Sequence, residues 1–270
     1  MIISDQDFGL QLVRQDLHML HAGRIAAAWG NRGFAKLPLH ESFAAGVRLH
    51  DNGWDEFDDT LPFAAGRPVN FLDVDLTQHA SFYERGYRRA KEQDDYAGLL
   101  IGMHWIGLYT RRYGYDPTFT YAVPDELTGF MASLIARIET EIQDGLRPLW
   151  TPTRPKLAFE NEVWFHYELM QVIDRLSLFM CLNVPGSGAS VTLGPLRRSP
   201  EDHEYLDVTA TMREDGTVTI DPFPFPNPLV LDVDAWRLPR RTFTAEAEYR
   251  ELVLATAPTS IANTLVPAAA

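Results

Sequence analysis

The chain has 270 residues, an ordinary hydrophobic content of 46% and a formal net charge of −13, which fits one large folded domain or a domain with an appendage. Such acidity argues against a nucleic-acid or anionic-membrane partner, either of which calls for a basic face. The single cysteine, Cys181, excludes an internal disulfide framework and fits a reducing compartment; within Leu178-Phe179-Met180-Cys181-Leu182 it reads as a buried apolar residue.

The first residues, Met1-Ile2-Ile3-Ser4-Asp5, lack the basic region and apolar run of a signal peptide. No stretch approaches the roughly 20 apolar residues of a membrane span, so a soluble, cytoplasmic protein is expected. From residue 8 to about 182 the pattern is helical. A first predicted helix, Phe8 to Trp29, carries apolar residues at Leu10, Val13, Leu17, Leu20, Ile25 and Ala28, with His18 and His21 on one face near Asp16. A second, from about His40, contains the buried run Phe43 to Leu49 and stops at Asn52-Gly53. His50 and Asp51 therefore stand at a helix end, where the backbone opens and a ligand can approach. Their adjacent imidazole and carboxylate can hold one metal ion, or hold one and lean toward a second. Asp55 to Asp75 is read as a long loop rich in Asp, Pro and Gly, of a length that is more often functional than idle.

The third predicted helix, Leu76 to Gln93, is capped by Asp75 or Thr77 and has His79 in its first turn. The fourth, Tyr96 to Tyr113, is apolar through Gly98-Leu99-Leu100-Ile101-Gly102-Met103 before His104, and should run through the middle of the bundle. Residues 125–146 form an amphipathic scaffold helix with Phe130, Leu134, Ile138 and Ile142 on one stripe. A Pro-rich joint, Arg147 to Pro155, leads to the last long helix, Phe159 to Leu182. There Asp174 interrupts an apolar run. A buried carboxylate costs several kcal/mol unless paired or bound to metal, and Arg175 points about 100° away on a helix. After Pro185 the character changes to strands: Ser190 to Leu193, Leu206 to Met212, a tight turn at Glu214-Asp215-Gly216 into Thr217 to Ile220, and Leu229 to Val233. A short helix, Ala245 to Thr256, follows. The strands within residues 186–243 form a small antiparallel sheet with little core of its own. The expected organisation is a helical domain of residues 1–185 and a small β-rich appendage, 186–270, packed on it.

His18, His50, Asp51, His79, His104 and Asp174 come from five predicted helices, and imidazoles and carboxylates converging inside a bundle are how helical proteins build metal sites. The donor set suits iron, manganese or zinc, and the absence of thiolates excludes the sulfur-rich structural type. Six protein ligands exceed the need of one zinc and suit two ions bridged by Asp51. His21, one turn past His18, reads as structural, with a place behind the site as the alternative. His40 (a helix start), His166 (a half-buried helix residue) and His203 (a loop residue) read as structural.

The order His…His-Asp…His…His…Asp resembles that of the HD-domain metal-dependent phosphohydrolase superfamily in its two-metal form. A longer pattern is similar to an HD-like, mainly bacterial family of unassigned reaction, over about residues 8–258. Its parts are Gln15-Asp16-Leu17-His18 with Gly23 and Trp29-Gly30, then His50-Asp51-Asn52-Gly53-Trp54, Tyr96-Ala97-Gly98-Leu99-Leu100, Asp174-Arg175-Leu176-Ser177-Leu178 and Asp221-Pro222-Phe223-Pro224-Phe225. The resemblance implies a mainly α fold, an HD-domain-like helical bundle with a small C-terminal antiparallel β appendage. It implies His18, His50, Asp51, His79, His104 and Asp174 as ligands of two divalent metal ions, iron or manganese with zinc as an alternative, and Asp51 and His50 at the catalytic centre. The implied reaction is hydrolysis of a small phosphoester or phosphoanhydride, so the partner is an anionic small molecule; a homo-oligomer is left open. The same ligand order is similar to that of myo-inositol oxygenase and an HD-type phosphonate oxygenase, whose mixed-valent di-iron chemistry on a small polar substrate is the alternative. A non-catalytic metal-binding regulatory module is the third. Many two-metal HD proteins follow His-Asp with two residues and a substrate-contacting lysine; here that position is Trp54. Arg24, Lys36, Arg67, Lys91, Arg111 and Arg175 are the candidate cations for the substrate's anionic end.

Overall fold

Two N-terminal strands open the fold, β1 (Ile2–Gln6) and β2 (Gly9–Val13), paired antiparallel across a turn at Asp7-Phe8. They are seen in a computed structural model that describes residues 1–110 and 121–268. Gly9 has φ of +137°, and a Cβ there would lie 2.2 Å from the Leu238 carbonyl oxygen, so the hairpin requires glycine. The helices α1 (Gln15–Ala28), α2 (His40–Leu49) and the short α3 (Asp55–Asp59) follow. A small hairpin, β3 (Phe63–Ala64) with β4 (Arg67–Pro68), and a 3-10 turn at Phe71–Asp73 lead into α4 (Leu76–Gln93). The predicted irregular loop between Asp55 and Asp75 is therefore largely built structure.

The middle of the chain forms α5 (Asp95–Tyr109), α6 (Thr128–Leu149) and α7 (Lys156–Leu182). Every residue of α5 from Tyr96 to Tyr109 is buried, as expected for a helix apolar on all sides. It packs against α2, α4, α6 and α7. Tyr113, the predicted end of this helix, lies outside the described residues. No helix among the described residues is long and apolar enough to cross a membrane.

The C-terminal part contributes β5 (Ser190–Leu196), β6 (Leu206–Met212), β7 (Thr217–Asp221), β8 (Leu229–Pro239), α8 (Glu246–Ala255) and β9 (Thr259–Pro267). These strands and the N-terminal hairpin make one seven-stranded sheet in the order β1-β2-β8-β9-β7-β6-β5. The β7–β9 pair is parallel and the others are antiparallel. This overturns the expected mainly α bundle, and any all-α description: the fold is mixed, and its sheet is neither small, nor C-terminal only, nor purely antiparallel. Residues 8–13 were predicted as helix because Leu10 and Val13 fit a helical spacing over so short a run. In the sheet, Leu12 and Val13 instead point to opposite faces.

Val13 joins Leu193, Ile220 and Leu231 in the main core, which is continuous with the helices. Leu12 joins Met1, Leu238, Phe243, Tyr249 and Val253 in a second, smaller core beneath α8. The sheet is thus covered on one face by α1 and α7 and, near its N-terminal edge, on the other by α8.

Candidate metal centre

Local capping sets the elements that bear the predicted site. The backbone N–H of Gln15, at the start of α1, donates to Asp58 Oδ2 of α3 at 2.8 Å, which fixes the turn bearing His18. Asp75 caps α4 by accepting from the N–H groups of Thr77 and Gln78 at 3.0 Å each, one turn around His79. Asp94 caps α5 through the Ala97 N–H at 2.9 Å and accepts the Ser42 hydroxyl at 2.6 Å, tying α2 to α5.

His50 is the C-terminal cap of α2, and the chain then turns sharply at Asn52-Gly53. Gly53 is needed for clearance: a Cβ there would lie 1.9 Å from the Phe82 carbonyl oxygen of α4. Asn52 Nδ2 donates to the Leu49 and Gly86 carbonyls at 2.8 and 3.2 Å, and Arg85 donates to the Gly53 carbonyl at 2.6 Å. Trp54 is fully buried and packs on Phe82 and on the ring of His79, at 4.9 and 5.4 Å between centroids. The position that would carry a substrate lysine is a core wedge.

Five of the six predicted residues meet. His18 Nε2 lies 2.8 Å from Asp174 Oδ1. His50 Nε2 lies 3.3 Å from the same oxygen and 3.4 Å from Asp51 Oδ2. His104 Nε2 lies 4.0 Å from Asp174 Oδ2. Donor atoms of His18, His50 and Asp51, and those of His50, His104 and Asp174, each fall within 4.8 Å of one another, and all five residues are buried. His79 is buried beside this group rather than in it. Its Nδ1 is 2.7 Å from the Tyr109 hydroxyl, and its ring stacks near Tyr121 and Tyr83 at 3.9 and 4.8 Å.

Hydrogen bonds behind the cluster orient its rings. His50 Nδ1 donates to the Val47 carbonyl at 2.7 Å, so in the neutral ring Nε2 keeps its lone pair toward the carboxylates. Nε2 has no hydrogen-bond partner of its own among the described residues. His18 Nδ1 lies 2.8 Å from Ser177 Oγ, which is also 2.9 Å from His21 Nδ1. With Nε2 donating to the Asp174 carboxylate at 2.8 Å, His18 Nδ1 accepts the Ser177 hydroxyl; a metal ion at Nε2 would reverse both roles. Such outer partners orient ligating histidines in metal sites.

The electrostatics are those of a cluster short of positive charge. Burial alone would lower His50, but Asp51 and Asp174 outweigh it and bring it up to about 9. Burial alone would raise Asp174, but His50 and His18 outweigh it and hold the carboxyl well below its usual range. Burial lowers His104 to about 4 and, helped by His104, lowers His79 to about 3. A proton on His50 thus fills the role of a cation between two carboxylates. Three imidazoles and two carboxylates on rigid elements, with an imidazole nitrogen aimed inward and lacking a partner, fit a divalent transition-metal ion.

Two participants carried no assigned role in the sequence. Tyr83 follows His79 by four residues on the same face of α4, and its buried hydroxyl donates to Asp51 Oδ1 and lies 3.5 Å from His104 Nε2. Burial, with Asp51 beside it, raises its pKa well above the usual value. Ser177 follows Asp174 by three on α7, and that spacing was its available signal. Of the candidate cations, Arg24 pairs with Asp232 and Arg67 with Asp73, both on the surface. Lys91 lies over Tyr87, Lys36 is exposed and Arg111 is outside the described residues. Arg175 is buried and donates to the Thr192 carbonyl at 3.2 Å.

Helices packed on a mixed sheet thus enclose a buried histidine–aspartate cluster between α1, α2, α5 and α7. The chain belongs to the family described as "Protein of unknown function (DUF3891)", whose model matches residues 1–240. No curated protein and no solved structure matches the chain.

Proposed function

We propose that the protein is a metal-dependent hydrolase of a small phosphoester or phosphoanhydride, working through an HD-type centre. The observation that carries this reading is the convergence of His18, His50, Asp51, His104 and Asp174 in one buried cluster, with His50 Nε2 held toward two carboxylates by the Val47 carbonyl. Two buried carboxylates carry a large desolvation cost that nearby positive charge offsets, whether a proton on His50 or a bound metal ion. His18, His50, Asp51 and Asp174 would hold the ion, with the buried His104 beside it. A divalent ion bound there supplies Lewis acidity, polarising a phosphoryl oxygen and acidifying water. Ser177, itself in contact with His21, orients the His18 ring toward the site. The aromatic residues around His79, namely the buried Trp54 and Tyr109 and the partly buried Tyr121, exclude bulk water and strengthen every charge interaction inside.

The test is a panel of phosphate compounds with manganese or ferrous iron, assayed in air and under nitrogen. Turnover persists without oxygen and is abolished in Asp51→Asn, which keeps the side-chain shape but loses the charge; the far-ultraviolet circular dichroism of the variant stays that of the wild type. The same aromatic enclosure favours a second reading, the HD-type di-iron oxygenase, and turnover that requires oxygen would replace the first reading with it.

A further inference from the structure

Asp51 turns its two oxygens in different directions. Oδ2 lies 3.4 Å from His50 Nε2, whereas Oδ1 accepts the Tyr83 hydroxyl. The same hydroxyl is 3.5 Å from His104 Nε2, which is 4.0 Å from Asp174 Oδ2. Asp51 Oδ1, His104 Nε2 and Asp174 Oδ2 are therefore the donors a second ion would use beside the first, and the Tyr83 oxygen lies against the first two of them. Metal–donor bonds at such sites are about 2.0–2.3 Å long. An ion that close to both Asp51 Oδ1 and His104 Nε2 collides with a hydroxyl already bonded to one and 3.5 Å from the other. The ring has little room to swing aside, since it is buried between His79 and His104, at 4.8 and 5.7 Å between centroids.

We propose that Tyr83 restricts this centre to one metal ion, by filling the second position with its hydroxyl and engaging the oxygen of Asp51 that would otherwise bridge. The inference rests on the metal-hydrolase reading and departs from the two-ion expectation raised by the ligand order. It has a chemical consequence. One ion suffices to polarise a phosphoryl oxygen and acidify water, whereas dioxygen chemistry that shares electrons between two irons needs both positions. Tyr83 is thus a positioning residue that decides which of the two chemistries the ligand set supports.

The experiment is a manganese titration of metal-stripped protein, read by the loss of the free-ion electron paramagnetic resonance signal and by the frozen spectrum of the loaded sample. Wild type takes up one ion and shows an uncoupled spectrum. Tyr83→Phe keeps the ring, removes only the hydroxyl, takes up two ions and shows the spectrum of a coupled pair; Tyr83→Phe with His104→Ala returns to one. Two ions in wild type overturn the proposal, a result that does not depend on whether any variant folds, and so does one ion in a folded Tyr83→Phe. A ferric wild type with a tyrosinate charge-transfer band that Tyr83→Phe abolishes also overturns it, since the phenol would then be a ligand. No bound ion in wild type instead removes the metal reading on which the inference stands.

Discussion

His50 spends Nδ1 on a backbone carbonyl three residues earlier, and that bond turns its other nitrogen toward Asp51 and Asp174. His166 shows the opposite outcome for the same side chain. It is fully buried on α7, lies against the Phe43 ring, and accepts the Tyr96 hydroxyl at Nδ1 over 2.6 Å. Burial, with Arg154 nearby, lowers it to about 4. Because its folded pKa lies below the ordinary 6.5, the unfolded chain takes up the proton first as pH falls. Its contribution to stability is complete above about pH 6.5 and is lost progressively down to about 4, at about 1.4 kcal/mol per pH unit. In urea denaturation of metal-free protein, His166→Gln should therefore lose about 2 kcal/mol less than wild type between pH 7 and pH 5. An unchanged acid limb would show that His166 is charged in the fold. Its sequence gave no sign of full burial: the residue was expected to be half-buried, and only the stacking of α2 and α5 on α7 closes it off.

Between elements, glycines and aromatics of the sequence pattern act as contact surfaces. Gly53 lets the corner after α2 touch the backbone of α4, and Gly86 on α4 returns the favour, its own Cβ position lying 3.0 Å from Gly53 N. Gly53→Ala must push α4 away from the corner that carries His50 and Asp51. The expected loss is at least the about 1–3 kcal/mol of ordinary overpacking, read as a lowered denaturation midpoint, together with weaker metal uptake. Trp29-Gly30 and Phe223-Pro224-Phe225 are likewise one unit. The Gly30 N–H donates to the Pro224 carbonyl at 3.1 Å, Asn31 Nδ2 donates to the Phe223 carbonyl at 2.8 Å, and Phe225 meets Trp29 edge to face at 5.8 Å. Phe225 is buried, while Phe223 is only partly so. Phe225→Ala should cost about 3–5 kcal/mol in denaturant unfolding, the usual range for a buried aromatic. A change below about 1 kcal/mol would mean that the joint between α1 and the sheet is held by the backbone hydrogen bonds alone.

At the scale of the whole molecule, the helices and the sheet share one core. β2 pairs with β8, through Leu12 and Trp236 among others, so residues near the two ends of the chain lie side by side. α7 and β5 pack together, and α1 lies on β8. A fragment of residues 1–185 would expose the main-chain edge of β2 and the apolar faces of α1 and α7 at once. It should be unfolded or aggregated, with no cooperative thermal transition and poorly dispersed amide resonances. A fragment that folds with native-like dispersion would mean the helices hold together without their sheet.

By itself the sequence determined the elements whose pattern is local and long. α4, α5 and α7, the end of α2 at the His-Asp pair, the Asp75 cap and the strands from β5 to β7 were legible because periodicity and capping are properties of consecutive residues. It also pointed to five of the side chains that meet in the buried cluster, since an aspartate in an apolar helix needs a partner. Tertiary structure alone decided the rest. The N-terminal hairpin and β9 were missed because their place in the sheet depends on partners far away in the chain, which no local pattern reports. The separation of His79 from the other five predicted residues, and the entry of Tyr83 in its place, depend on how α4 is seated against α5 and the Gly53 corner. A side chain on a helix turns to a new neighbour with each small rotation of the axis, and that rotation is set by packing between elements rather than by the sequence of any one of them.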